Sequence, residues 1–160
     1  MKNTTGGRKM KKIVVIVSSL VFGIVLSVTT PTQAQMKIGI NYPGFQIGYL
    51  KNKISYELRG EKGKDIWTMG PRVSFYSSSS KNGIIPFLAI EGDYISFKGS
   101  VSEGTGFAIQ SMVGIAKRIT SHVSAEVTAG GAYVSLKDKG TGFRESSVSP
   151  VIGMGINLYF

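Results

Sequence analysis

From residue 54 to residue 160 the chain repeatedly alternates apolar and polar side chains with a period of two. It carries no long stretch with apolar residues at helical spacing. The last ten residues show the pattern most plainly. Ile152, Met154, Ile156, Leu158 and Phe160 fall on one face, and Gly153, Gly155, Asn157 and Tyr159 on the other, because successive strand side chains point to opposite sides. Upstream, Ile54, Tyr56 and Leu58 oppose Ser55, Glu57 and Arg59. Trp67, Met69, Val73 and Phe75 oppose Thr68, Arg72 and Ser74, and Leu88, Ile90 and Tyr94 oppose Glu91 and Asp93. Phe107, Ile109, Val113 and Ile115 oppose Ala108, Gln110 and Gly114, while Val123, Ala125, Val127 and Tyr133 oppose Ser124, Glu126 and Thr128. In these registers the apolar face carries no charge, and every charge of the six segments (Glu57, Arg59, Arg72, Glu91, Asp93, Glu126) falls on the other face.

The segments between these runs predict the topology. Lys51-Asn52-Lys53, Ser77 to Gly83 and Thr120-Ser121-His122 are expected as turns at one end. Glu61 to Asp65, Gly99 to Gly106 and Lys137 to Arg144, rich in Gly, Lys and Ser, are expected as looser connections at the other. Transmembrane barrels have short periplasmic turns and longer external loops, which assigns the first set to the periplasm. Met36 to Asn41 and Phe45 to Leu50 flank Tyr42-Pro43-Gly44, a Pro-Gly turn signal. Both are shorter than the ~9–11 residues of a spanning strand, so the region reads as two short strands or as one strand bent at Pro43. Counted as two, they complete an all-β, eight-stranded antiparallel up-and-down transmembrane β-barrel.

The N-terminus changes the charge picture. Lys2, Arg8, Lys9, Lys11 and Lys12 precede an apolar run from Ile13 to Val28, then Pro31, Thr32, Gln33 and Ala34. This is the basic, apolar, small-residue order of a secretory signal peptide, with cleavage expected after Ala34. The apolar run is short for a membrane anchor, which takes about 20 helical residues. The expected domains are a signal peptide over 1–34 and a barrel over 35–160. The whole chain has 19 Lys and Arg against nine Asp and Glu, a formal net charge of +10. Five of the basic residues and none of the acidic ones lie in the leader, so residues 35–160 carry +5. Much of the basic excess is thus an export signal, and no nucleic-acid partner is expected. There is no cysteine, so an exported domain of this size must be held by something other than disulfides. A closed barrel in lipid is held by its own hydrogen bonds.

Alternation alone does not say which face meets water. A soluble barrel would turn its apolar face inward, and a membrane barrel outward. Three features favour lipid. The polar face is crowded with Gly, Ala and Ser, which suits the bore of an eight-stranded barrel, just wide enough for side chains to fill. Its charges have both signs at similar depth, so Glu57, Arg59, Arg72, Glu91, Asp93 and Glu126 can close the bore with charge-assisted hydrogen bonds. Finally, Phe160 with Leu158, Ile156, Met154 and Ile152 before it resembles the C-terminal recognition strand of bacterial outer-membrane proteins. The aromatics fit as two belts at lipid–water boundaries: Trp67, Tyr94, Phe107 and Tyr133 toward one end, and Tyr49, Phe75 and Phe160 toward the other. Lys98 and Lys117 stand on outward parity at strand ends, in reach of headgroups.

The stretches Ile40 to Gly44, Pro86 to Gly99 and Glu103 to Phe107, within this pattern over residues 36–160, resemble small outer-membrane β-barrel proteins grouped with the OmpA transmembrane domain and OmpX. The resemblance implies outer-membrane lipid and the export and barrel-assembly machinery as partners, a bacterial outer-membrane location, and a monomer. It departs from that group in two ways. No soluble peptidoglycan-binding domain is expected after the barrel, and the loops are shorter than in OmpX-like proteins, which argues against an adhesive role.

Little in the chain points to catalysis. His122 is the lone histidine, and it falls in an expected periplasmic turn, away from where a Ser-His-acid arrangement would serve a lipid substrate. Glu91 and Asp93 share a face without His or Cys partners, and no Gly-Lys-Ser/Thr element follows Gly104-Thr105-Gly106. No cofactor and no metal are expected. The leading expectation is a structural outer-membrane barrel with a plugged bore, serving envelope integrity or loop display. The alternatives are a narrow solute channel and a secreted, soluble, lipocalin-like barrel with an apolar ligand inside.

Overall fold

The computed structural model describes residues 34–78, 82–100 and 102–160. The leader expected over 1–34 lies outside them, except for Ala34 itself. Eight strands follow one another: β1 (Gln35–Tyr42), β2 (Gly44–Lys51), β3 (Ile54–Lys62), β4 (Ile66–Tyr76), β5 (Ile84–Lys98), β6 (Glu103–Arg118), β7 (Val123–Asp138) and β8 (Arg144–Tyr159). Each pairs antiparallel with its sequence neighbour, and β8 closes on β1. The N-terminal stretch is therefore two strands. They turn at Pro43, whose peptide bond to Tyr42 is cis. The β2–β3 hairpin turns on two residues of positive φ, Asn52 (47°) and Lys53 (69°), the left-handed pair that matches the twist of a two-residue hairpin.

Loop lengths depart from expectation. Glu103 to Gly106 and Lys137–Asp138 lie in the ladder, not in loops, because β5 pairs with β6 out to Lys98–Glu103 and β7 with β8 out to Lys137–Arg144. The connections at that end are consequently short, and the stretch from Ser77 to Gly83 at the opposite end is longer than any of them. The periods of β5 to β8 extend through Gly, Lys and Ser because backbone pairing tolerates those residues above an apolar belt.

The register fixes the tilt. Following paired residues from Ile40 leads to Phe45, Gly60, Met69, Tyr94, Phe107, Ser135 and Ser146, whereas Ile40 itself faces Ile156 across the closure, ten residues further along β8. Eight strands with a ten-residue stagger tilt by about 40° at ordinary strand spacing. At that tilt one residue climbs about 2.5 Å and one step across the sheet climbs about 3 Å.

The two rims differ as a result. Gln35, the Asn52–Lys53 turn, Ile84, Arg118, Val123 and Phe160 lie level at the lower rim. The upper rim is slanted: the β1–β2 turn at Pro43 stands about 18 Å above the lower rim, and the tops of β7 and β8 about 39 Å. Trp67, Tyr94, Phe107 and Tyr133 come level with one another about 26 Å up the wall. They touch in pairs, with Trp67–Tyr94 centroids 5.6 Å apart and Phe107–Tyr133 centroids 6.2 Å apart. This is the upper aromatic belt.

Candidate functional site

The two faces of the sheet sort as the alternation requires. Ile156, Val127 and Ile90 point outward and are more than half exposed, while Glu126, Arg72 and Glu91 are buried in the bore at 4% exposure or less. The C-terminal series Ile152, Met154, Ile156, Leu158 and Phe160 all face outward and exposed. Phe160 is tied by its backbone to Met36 in both directions, at 3.0 and 3.2 Å, so it forms the last rung of the closure.

The six interior charges separate into two tiers. In the lower tier Glu57 (β3), Arg72 (β4) and Glu126 (β7) gather around Lys37 of β1. Lys37 Nζ donates to Glu57 Oε1 at 2.9 Å, to Glu126 Oε2 at 3.3 Å and to the Tyr76 hydroxyl at 3.2 Å. Arg72 lies 3.9 Å from Glu57 and 3.8 Å from Glu126. Its Nε donates to Ser74 Oγ at 3.1 Å, and its guanidinium stands over the Phe87 ring. Asn157 Nδ2 donates to Glu126 at 2.9 Å, and the Gln46 side-chain amide lies 2.5 Å from Asn157 Oδ1. Two cations thus face two carboxylates with nearly all their surface removed from water, which is the condition under which buried charge is tolerated.

In the upper tier Arg59 Nη1 donates to Glu91 Oε2 at 2.6 Å. Asp93 accepts from Gln110 Nε2 at 2.5 Å. Arg59 therefore takes Glu91, Asp93 turns to an amide, and Arg72 belongs to the lower tier. A cavity of about 50 Å³ beside this tier is lined by Arg59, Glu61, Glu91 and Gln110 on one side and by Tyr42, Pro43, Ile152 and Gly153 on the other.

Sequence reasoning did not include Lys37, Tyr76, Gln46 and Asn41. Met36, Ile38, Ile40 and Tyr42 are exposed, with Lys37 and Asn41 buried between them. The same alternation, carried into the two short N-terminal strands, would have placed Lys37 inside. The bore is also less uniformly polar than expected. Phe87, Ala89, Met112 and Ala116 form an apolar cluster on the β5–β6 side, joined by Tyr76 and Val151. Near the top, Ile95 is buried, Phe97 lies over Gly104 and Leu136 over Gly106. Glycines at these inward positions make room for the neighbouring Phe97 and Leu136 side chains. His122 sits in the exposed β6–β7 turn, where its Nδ1 meets Ser121 Oγ at 2.8 Å.

A closed eight-stranded antiparallel barrel, with an apolar outer wall and a bore filled by ion pairs, is the class of fold the chain adopts. No protein-family model matches it, and no curated protein matches it in sequence. In fold it is similar to Neisserial surface protein A, at 14% identity and a TM-score of 0.57, over 79% of this chain and 93% of that one. It is similar too to the N-terminal β-barrel domain of Pseudomonas aeruginosa OprF, at 13% identity and a TM-score of 0.52, over 79% of this chain and 95% of that domain. Both are small eight-stranded outer-membrane barrels.

Proposed function

We propose that this chain is a structural protein of the bacterial outer membrane, a barrel whose bore is closed by its own side chains and which serves envelope integrity or displays short external hairpins. The observation that carries this reading is the distribution of charge. Lys37, Glu57, Arg72 and Glu126 are buried in the bore, whereas Ile90, Val127 and Ile156 stand exposed on the wall. In water such a wall would be a very large exposed apolar surface, far beyond what a soluble monomer carries. In a bilayer it is the band that lipid requires, flanked by aromatic belts. The lipocalin-like alternative needs an apolar chamber where this barrel holds ion pairs, and the narrow-channel alternative needs a bore that the two tiers leave open. No catalytic step is assigned, and the partners proposed are outer-membrane lipid and the export and assembly machinery.

The test is fractionation followed by conductance. The protein should partition with the outer membrane, run faster on gels when unheated, and give little steady current in planar bilayers. Recovery in the aqueous periplasmic fraction would refute the membrane assignment, and large, stable, ion-selective currents would refute the closed bore.

A further inference from the structure

The slanted rim leaves a gap in the wall. β1 pairs with β8 only from Lys37–Tyr159 to Tyr42–Met154, so β8 from Arg144 to Gly153 pairs with β7 alone. β2 ends against Glu61 of β3. Above the Pro43 turn, two strands are therefore missing between β8 and β3, an opening about 15 Å wide at ordinary strand spacing.

The edge of β8 in this opening has free backbone groups. Phe160 exchanges its hydrogen bonds with Met36 of β1, whereas Tyr159 donates to His122 on the β7 side. By strict alternation the even-numbered residues of β8 present their N–H and C=O toward β1. Ile152, Pro150, Val148 and Ser146 continue that series past the end of β1. Their carbonyls, and every amide except that of proline, face the gap. Ile152 lies about 19 Å above the lower rim, which is about 7 Å below the aromatic belt.

We infer that the hydrated headgroup layer of the outer leaflet descends into this gap and covers the β8 edge, so that the barrel thins the bilayer on its β8–β1–β2 side. The inference rests on the membrane assignment above. Acyl chains cannot cover the edge, since unpaired N–H and C=O groups in hydrocarbon cost several kcal/mol each and open sheet edges do not face lipid tails. A peptide strand or a second copy of this chain is disfavoured by Pro150, which withholds a donor in the middle of the edge, a common device against strand addition. The opening is continuous upward with the external surface, and the cavity lined by Arg59 and Glu91 reaches Ile152 and Gly153 at its foot. Lys62, exposed at the top of β3, flanks it where an ammonium meets headgroup phosphate. Val148, Ile152 and Tyr42, which border the gap, and Ile40, two residues below it, are 73–79% exposed, above the other large apolar residues of the wall.

Because the chain has no cysteine, single-cysteine variants report cleanly on water access. The protein is assembled in phosphatidylcholine vesicles, assembly is checked by gel mobility, and a charged, bilayer-impermeant maleimide is added. Ile152→Cys and Pro150→Cys probe the gap at two positions, so one poorly folding variant does not end the test. Ile109→Cys on β6, about 23 Å above the lower rim and so no deeper than Ile152, probes the complete wall, and Thr141→Cys in the β7–β8 connection is the solvent control. The gap cysteines should react within about threefold of Thr141→Cys, and Ile109→Cys at least about tenfold more slowly. Lengthening the lipid chains from lauroyl to palmitoyl should slow the gap cysteines several-fold, since deeper thinning costs more.

Gap cysteines as slow as Ile109→Cys overturn the inference, as do slow gap cysteines that oxidise to disulfide-linked dimers, which would mean that a second copy covers the edge. Fast labelling indifferent to lipid length overturns the headgroup assignment in favour of water from the bore. Fast labelling of Ile109→Cys as well would sink the membrane reading itself.

Discussion

Lys37 is the most informative side chain to remove. Its ammonium lies between Glu57 and Glu126 at 2.9 and 3.3 Å with no exposed side-chain surface, and the nearest other cation, Arg72, stands 3.8–3.9 Å from the same two carboxylates. In Lys37→Met the methylene stem is nearly preserved, but two buried carboxylates must share one guanidinium. Removing one partner of a buried pair typically costs about 3–5 kcal/mol, because the surviving charge loses its compensation without regaining water. With a urea dependence of about 2 kcal/mol per molar, that is a midpoint lowered by about 2 M.

The assay is equilibrium folding into vesicles, with unheated gel mobility reporting the assembled fraction. A second variant separates charge imbalance from lost packing. Lys37→Met combined with Glu57→Gln leaves Arg72 against Glu126, one cation to one carboxylate, and should recover at least half of the loss. A single variant within about 1 kcal/mol of the parent would show that the lower tier is solvated. A double variant worse than the single would show that packing, not charge balance, sets the cost.

Three further outcomes test the architecture. Val127→Arg places a cation on the outer wall at mid-depth and should cost about 2–4 kcal/mol in vesicles; a neutral effect would mean that this wall meets water. A Cβ on Gly70 would run into the Gly92 carbonyl, whereas one on Gly92 would meet nothing within 4 Å. Gly70→Ala should therefore lower the urea midpoint by the equivalent of about 1–3 kcal/mol, with Gly92→Ala near neutral, and equal effects would contradict the assigned inward and outward faces. Deleting Phe160 removes both backbone bonds to Met36 and should reduce the yield of assembled barrel in cells. Wild-type yield would show that the last rung is dispensable for closure.

Much of this architecture was legible because a strand reports its own two faces. The period of two in β3 to β8 needs no partner to be read, and it placed Glu57, Arg59, Arg72, Glu91, Asp93 and Glu126 on one side and Ile152 to Phe160 on the other. Lys37 obeys the same rule, but β1 is only eight residues long, and Pro43 left open whether β1 and β2 were separate elements. The extent of β5 to β8 was not legible either, because glycine, lysine and serine above an apolar belt look alike in a loop and in a ladder.

What the sequence alone determined is the set of faces: which residues share a side, and that one side is oily and the other ionised. What only the tertiary structure decided is the register between strands. Register depends on hydrogen bonds between residues far apart in the chain, and nothing within a single strand encodes it. It put Lys37 between two carboxylates from β3 and β7, gave Glu91 to Arg59 and not to Arg72, and set the ten-residue stagger. With two short strands beside six longer ones, that stagger slants the upper rim and leaves the edge of β8 without a neighbour.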